Sequence, residues 1–194
     1  MKILYLLPSY SLYGGTPKKT LDLMKYFGDK SALYVYDDIY TEFKPQFEAT
    51  GGCVYEGPYG RNVYRHLKYL IQIIDLENID LVQTQFSMGE TLGFLIKIFR
   101  PRVKFVVAFV GASKPTPFKC FFAAINYKLV DSFIYISEYV KIEKQKHFSI
   151  LRNKNAIIIY NGTEKRMNNG TDVIAMKGHA LLDIAGLIDL KHIQ

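Results

Sequence analysis

Tryptophan is absent from the 194 residues, and cysteine occurs only at Cys53 and Cys120. Two cysteines far apart in sequence exclude a disulfide framework and a Cys-x-x-Cys redox or zinc motif. A reduced cytosolic compartment is the expectation. The four histidines, His66, His147, His179 and His192, lack ligand spacing, so no metal site and no Ser-His-Asp or Cys-His set is assigned. No apolar run reaches the ~18 residues of a membrane-spanning helix. The opening MKILYLLPSY is not a secretory signal, because its apolar run, Ile3–Leu7, ends at Pro8 rather than at a small-residue cleavage site. Neither GxGxxG nor a Walker A loop occurs, which weighs against nicotinamide cofactors and P-loop chemistry.

What is present suits a packed core. Hydrophobic residues make up 49% and charged residues 22%, which excludes wholesale disorder. The length fits one sizeable domain, or one domain and a fragment of another. Net charge is +7 and unevenly placed. Between Lys97 and Lys154 there are twelve Lys/Arg and three acids, while the remainder has thirteen and fifteen. An excess confined to one segment suggests an anionic partner. Nucleic acid is disfavoured, since no stacking or groove-reading motif accompanies the charge. An anionic membrane surface met through Lys141, Lys144 and Lys146 explains it as well. A plain solvated helix face is the remaining alternative.

Apolar runs alternate with helical patterns. Strands are predicted at Lys2–Leu7, Ala32–Tyr36, Cys53–Tyr55, Asp80–Thr84, Val103–Val110, Ser132–Ile136 and Ala156–Tyr160. Helices are predicted at Pro17–Phe27, Asn62–Leu76, Thr91–Phe99, Phe118–Leu129 and Glu138–Phe148, with a weak one at Glu42–Ala49. The helix Phe118–Leu129 is apolar almost all round, which usually marks a core helix. Unbroken apolar strands between helices imply a doubly wound, mostly parallel, Rossmann-like α/β sheet with helices on both faces. Its ligands would lie beyond the carboxyl ends of the strands. Residues 1–163 form this domain, and 164–194 read as a linker with the start of something further.

Several loops carry candidate chemistry. PSYSLYGGTP, at 8–17, runs from a strand into Gly14 and Gly15, with Thr16 as an N-cap and Pro17 at the first helical position. Bare glycine backbone at a helix start outlines a phosphate or diphosphate site; the alternative is a tight turn that needs glycine. In DLVQTQFS, at 80–87, Gln83 reads as a core amide and Gln85 as a site residue at the strand end. Ser137 and Glu138 stand at a strand end and helix start, where a plain capping arrangement is the stronger reading. Gly111 ends a buried strand, and Asn161-Gly162 follows another.

Taken in order, these pieces resemble the N-terminal domain of family 4 (group 1) glycosyltransferases, the retaining, GT-B-fold class. MKILYLLP with GGT resembles the opening strand and its Gly-Gly loop. DLVQTQ stands where the family commonly has Asp, two apolar residues and His-x-His. VVAFVG stands where a strand ends in His-Gly. DSFIYISEY and IIIYNGT resemble the "apolar strand, Ser-Glu" and "apolar strand, Asn-Gly" segments. The resemblance implies an acceptor-binding half whose partner domain binds a nucleotide-sugar donor. Gly14, Gly15 and Thr16 would meet the donor diphosphate or sugar. Gln85, Ser87, Gly111, Ser137 and Asn161 would lie on the acceptor side, facing a saccharide or lipid-linked saccharide. No cofactor or metal is implied. Gln83, Gln85 and Val110 replace the family's histidines, which removes titratable groups from those positions. LLDIAGLIDLKHI, at 181–193, faintly resembles the first strand of the donor domain. The expectation is a retaining hexosyltransferase when complete, with this chain alone inactive, cytoplasmic and peripheral at the inner face of the membrane. A non-enzymatic module binding a phosphorylated small molecule, and a basic nucleic-acid-binding domain, stand as alternatives.

Overall fold

The computed structural model describes residues 1–37, 41–112 and 117–160, with only the backbone of 117–119. Seven strands form one all-parallel sheet in the order β3-β2-β1-β4-β5-β6-β7. They are β1 (Ile3–Leu7), β2 (Ser31–Val35), β3 (Cys53–Glu56), β4 (Leu81–Thr84), β5 (Lys104–Phe109), β6 (Ser132–Tyr135) and β7 (Ala156–Ile158). The helices between them are α1 (Gly15–Phe27), α2 (Lys44–Glu48), α3 (Val63–Glu77), α4 (Ser87–Phe99), α5 (Pro117–Lys128) and α6 (Glu138–His147).

The strands are apolar on both faces because both are covered. On one face Ile3, Tyr5, Leu7, Leu33 and Leu81 pack against Leu21 and Met24 of α1 and Phe47 of α2. On the other, Leu4, Leu6, Tyr34 and Val82 meet Leu70 and Ile73 of α3 and Leu92 and Ile96 of α4. Further along that second face, Phe105, Phe109, Phe133 and Tyr135 meet Tyr127 of α5 and Val140 of α6. In-register pairs such as Val82 with Phe105 keep this face continuous.

All helices run back antiparallel to the strands, so their C-termini gather at the amino edge of the sheet. Carbonyls left without partners there, and the negative dipole end, favour cations. Lysines supply them. The Lys97 ammonium donates to the carbonyls of Pro101 and Val103 and pairs with Asp131 at 2.9 Å. Lys154 donates to the carbonyls of Lys128 and Val130 beyond α5. Arg100 pairs with Asp75, and Lys2 with Glu77, which also accepts from Tyr55. Much of the basic excess is thus structural.

Three expectations change. The cationic face expected at Lys141, Lys144 and Lys146 does not exist as drawn. Lys144 is 8% exposed and lies 5.1 Å above the Phe109 ring, while Lys141 and Lys146 pair with Glu138 and Glu143. The reason is periodicity: Val140, Lys144 and Phe148 make one inward stripe of α6 and its end. The helix expected to be core, α5, leaves Phe121 and Phe122 exposed at 64% and 51%. The last strand ends at Ile158, short of Tyr160. The proposed boundary at 163 and residues 164–194 lie outside the described residues.

Candidate functional site

The strand order changes direction between β1 and β4, and in such sheets the crevice outside the carboxyl ends at that point receives ligands. The loop after β1 and the start of α4 flank it. Within the loop, Tyr10 is fully buried. Its hydroxyl donates to Glu56 at 2.8 Å, and its ring meets Phe47 at 5.5 Å. Lys44 holds Glu56 from the other side at 3.1 Å. The loop is therefore pinned at Tyr10, and it presents Tyr13 outward with its ring edge-on to Phe43. Burial and the Glu56 carboxylate push the Tyr10 hydroxyl far above its ordinary pKa, so it stays a proton donor.

Beyond Tyr13 the backbone is bare. Gly14 is the N-cap of α1, extended at φ −99° and ψ 149°, and no side chain caps the helix. This corrects the sequence reading: Thr16 is the second helical residue rather than the cap, and Pro17 the third rather than the first. Pro17 is tolerated there because N–H groups of a first turn have no partner within the helix. A Cβ on Gly15 would meet nothing within 4 Å, and one on Gly14 would make only an ordinary 3.6 Å contact with Pro17. Neither residue has a positive φ. The chain does not require glycine at either position, unlike Gly51 at φ +83° or Gly52, whose Cβ would crowd Ser31 at 2.6 Å. The pair leaves open backbone instead. No acidic residue occupies the first turn of α1, so the positive dipole end is uncompensated.

The second wall is α4. It begins at Ser87, four residues before the expected Thr91, and Ser87 is its exposed first residue rather than part of a loop. Gly89 hid that start, because glycine lowers helix propensity. It sits close against β4, where a Cβ would make an ordinary 3.4 Å contact with Thr84. The N-cap of α4, Phe86, offers no side-chain hydrogen bond. By contrast, Asn62 caps α3 by accepting from the Arg65 amide at 3.1 Å, and Ser137 caps α6 by accepting from the Val140 amide at 3.2 Å. The two helices flanking the crevice are uncapped, and these two away from it are capped.

The remaining predicted residues divide. Gln85 is 7% exposed, and its amide donates to the Thr20 hydroxyl at 3.3 Å. Thr20 in turn donates to the Thr16 carbonyl at 3.1 Å. Gln85 thus ties the end of β4 to the first turn of α1 across the crevice, inside the core. Gln83 is buried in the sheet beside Tyr5. Gly111 follows β5 and has open space around its Cα. Asn161 lies outside the described residues.

Sequence reasoning missed one buried cluster near this edge. Glu90, in the first turn of α4, accepts from the Tyr127 hydroxyl at 3.3 Å. Burial raises its pKa, and burial lowers that of Lys144, each opposed by the other's charge. Tyr135 packs at a tilt against Phe109, its buried hydroxyl has no hydrogen-bond partner among the described residues, and burial pushes its pKa up to about 12. The inward stripe through Lys144 was the available signal. Among the described residues no group of His, Cys, Asp or Glu could hold a metal ion, and both cysteines are free thiols.

The architecture is that of one Rossmann-like half of a GT-B fold, and comparison with known structures agrees. No family model and no curated protein matches the sequence. Among solved structures, HepE from Anabaena in complex with UDP-glucose matches with a TM-score of 0.65 and 20% identity, over 84% of this chain and 44% of that one. A glycosyltransferase from Rickettsia africae matches with a TM-score of 0.68 and 17% identity, over 84% and 43%. A Listeria monocytogenes protein assigned as a UDP-N-acetylglucosamine 2-epimerase matches at 0.53 and 13%, over 73% and 41%. The chain spans less than half the length of each. At these identities the likeness establishes the fold.

Proposed function

We propose that this chain is the acceptor-side half of a retaining glycosyltransferase that moves a hexose from a nucleotide sugar to a saccharide or lipid-linked saccharide. The observation that carries the reading is the uncapped, glycine-lined start of α1, which faces open space at the switch point of the sheet. Backbone N–H groups and a helix dipole suit a diphosphate, whose charge grows as the sugar leaves. HepE and the Rickettsia enzyme support the reading through a shared fold.

In this reading Gly14, Gly15 and Thr16 receive the donor diphosphate. Ser87 and Gly111 border the acceptor. Gln85 positions the first turn of α1, and Ser137 fixes the start of α6. Val110 cannot hydrogen-bond through its side chain or titrate, so the chain supplies positioning and electrostatics there rather than acid–base chemistry. The nucleic-acid alternative loses force because the lysines it needed cap helix C-termini or pair with acids.

The test is a transfer assay with UDP-glucose and a panel of saccharide and lipid-linked acceptors. The chain alone should give no product, and the chain joined to a donor-binding half should transfer sugar. Turnover by the chain alone would overturn the half-enzyme reading. A joined protein that epimerises or only binds its nucleotide sugar would overturn the transferase reading.

A further inference from the structure

Helix α5 departs from the pattern of a surface helix. Its inward side is ordinary: Tyr127 is buried, and Cys120, Ala123 and Ala124 pack against the aromatic cluster of β5 and β6. Its outward side should be mainly polar, as on α3, where Arg65, Lys68, Gln72 and Asp75 face solvent and the exposed Tyr64 and Leu76 stand far apart. Instead Phe121 and Phe122 are 64% and 51% exposed, and Leu129, just past the helix, is 37% exposed. Ile125 between them is half-buried. The spacing i, i+1, i+4 and i+8 makes one apolar stripe.

The charge around this stripe is mostly basic, the nearby Asp131 being paired with Lys97. The turn Ser149–Asn153 packs against α5. Residues 117–129 and 149–154 together contain Lys119, Lys128, Arg152 and Lys154 and no acid. Lys128 and Arg152 are exposed, and neither has a carboxylate partner among the described residues. Elsewhere on α4 and α6 the cations are matched: Lys97 by Asp131, Lys141 by Glu138 and Lys146 by Glu143. Two exposed cations without a carboxylate partner, Lys128 and Arg152, therefore lie beside the exposed aromatics.

We propose that the outward stripe of α5, with Lys128 and Arg152 beside it, is a docking surface for an anionic membrane leaflet. An apolar helix face edged by cations lies in the plane of such an interface, with aromatic rings at headgroup level. Among the described residues no helix is long and apolar enough to cross a membrane, so the contact is peripheral. A second copy of the chain fits less well: a two-fold contact through this stripe would set the same cations against their own copies. The surface rests on its own residues and needs no sugar, so its test is independent of the transfer assay.

The protein lacks tryptophan, which provides a direct reporter. In the full chain, Phe121→Trp places a single indole on the stripe. Its emission should shift to the blue on phosphatidylcholine–phosphatidylglycerol vesicles at low salt, and acyl-brominated lipid should quench it. Sedimentation should show binding to these vesicles that high salt removes, with far weaker binding to phosphatidylcholine alone. Phe121→Ser with Phe122→Ser should lower partitioning at least about ten-fold. Lys128→Glu with Arg152→Glu should do the same, at roughly five-fold or more for each cation. Lys68→Glu on α3 should change it by less than about two-fold. Absence of binding to anionic vesicles, unchanged indole emission on them, or binding that survives both double substitutions would each overturn the proposal. So would a dimer that dissolves on substituting the two phenylalanines, since it would give the stripe to a second copy.

Discussion

The two edges of the sheet treat their helix ends in opposite ways. At the amino edge, side chains close the backbone: Lys97 and Lys154 each donate to two carbonyls. At the carboxyl edge, α1 and α4 begin with no side-chain cap, and the first presents two glycines to open space. Capping residues are not scarce, since Asn62 and Ser137 close α3 and α6 at that same edge. The open ends of α1 and α4 flank the place where the strand order reverses, while a third uncapped start, that of α2, lies away from it. Stability resides in the closed ends, and the proposed anion site in the open start of α1.

Breaking a closed end should produce the largest effect. Lys97→Met leaves Asp131 without its cation and two carbonyls without their donor. The expected loss is about 2–4 kcal/mol of unfolding free energy in urea, with the response to nucleotide sugar unchanged.

Glu77 offers a pH-dependent version. Its carboxyl is held below its ordinary value, first by the hydrogen bond from Lys2 and then by that from Tyr55. A lowered folded-state pKa gives stability that is fully present above the unfolded value of about 4.3. That contribution is lost as pH falls through the folded value. Glu77→Gln should therefore cost about 1–3 kcal/mol at neutral pH, and the difference from the unmodified protein should vanish on acidification. A difference that persists at low pH would contradict the assignment.

The capped helices give the next effect. Ser137→Ala should cost about 1 kcal/mol, and Asn62→Ala a similar amount. Both are read as shifts of the denaturation midpoint.

The open end should respond least in stability. Gly14→Asp would supply the missing cap of α1 and raise stability by only a few tenths of a kcal/mol, about the usual difference between glycine and a capping side chain. It would also place a carboxylate where the diphosphate is proposed to sit. Gly15→Val should shift unfolding by less than about 1 kcal/mol, because its side chain meets open space. In the chain joined to a donor-binding half both should lose nucleotide-sugar binding.

The fold was legible because parallel strands covered on both faces read as unbroken apolar runs. All seven expected strands exist, displaced by at most two residues at an end. The helix starts were less legible. Thr16-Pro17 looks like a cap and first position, yet Gly14 can be extended without any capping group, and the helix enters two residues earlier. The role of Gln85 was hidden because its partner, Thr20, lies across the crevice in another element. The charge segment misled for the same reason. Asp131 and the carbonyls of Lys128 and Val130 come to Lys97 and Lys154 only through the sheet. Lys144 was an error that periodicity could have prevented.

The most direct test of the open-edge account is a titration of the nitrogen-15-labelled chain with UDP-glucose, following each backbone amide. The account predicts millimolar, salt-sensitive binding with its largest shifts at Gly15 and Thr16, smaller ones at Ser87, and none at Lys97 or Lys154. Gly14→Asp should abolish them while the fold persists. Shifts centred on the amino edge, or no shift at the start of α1 at any concentration reached, would contradict it.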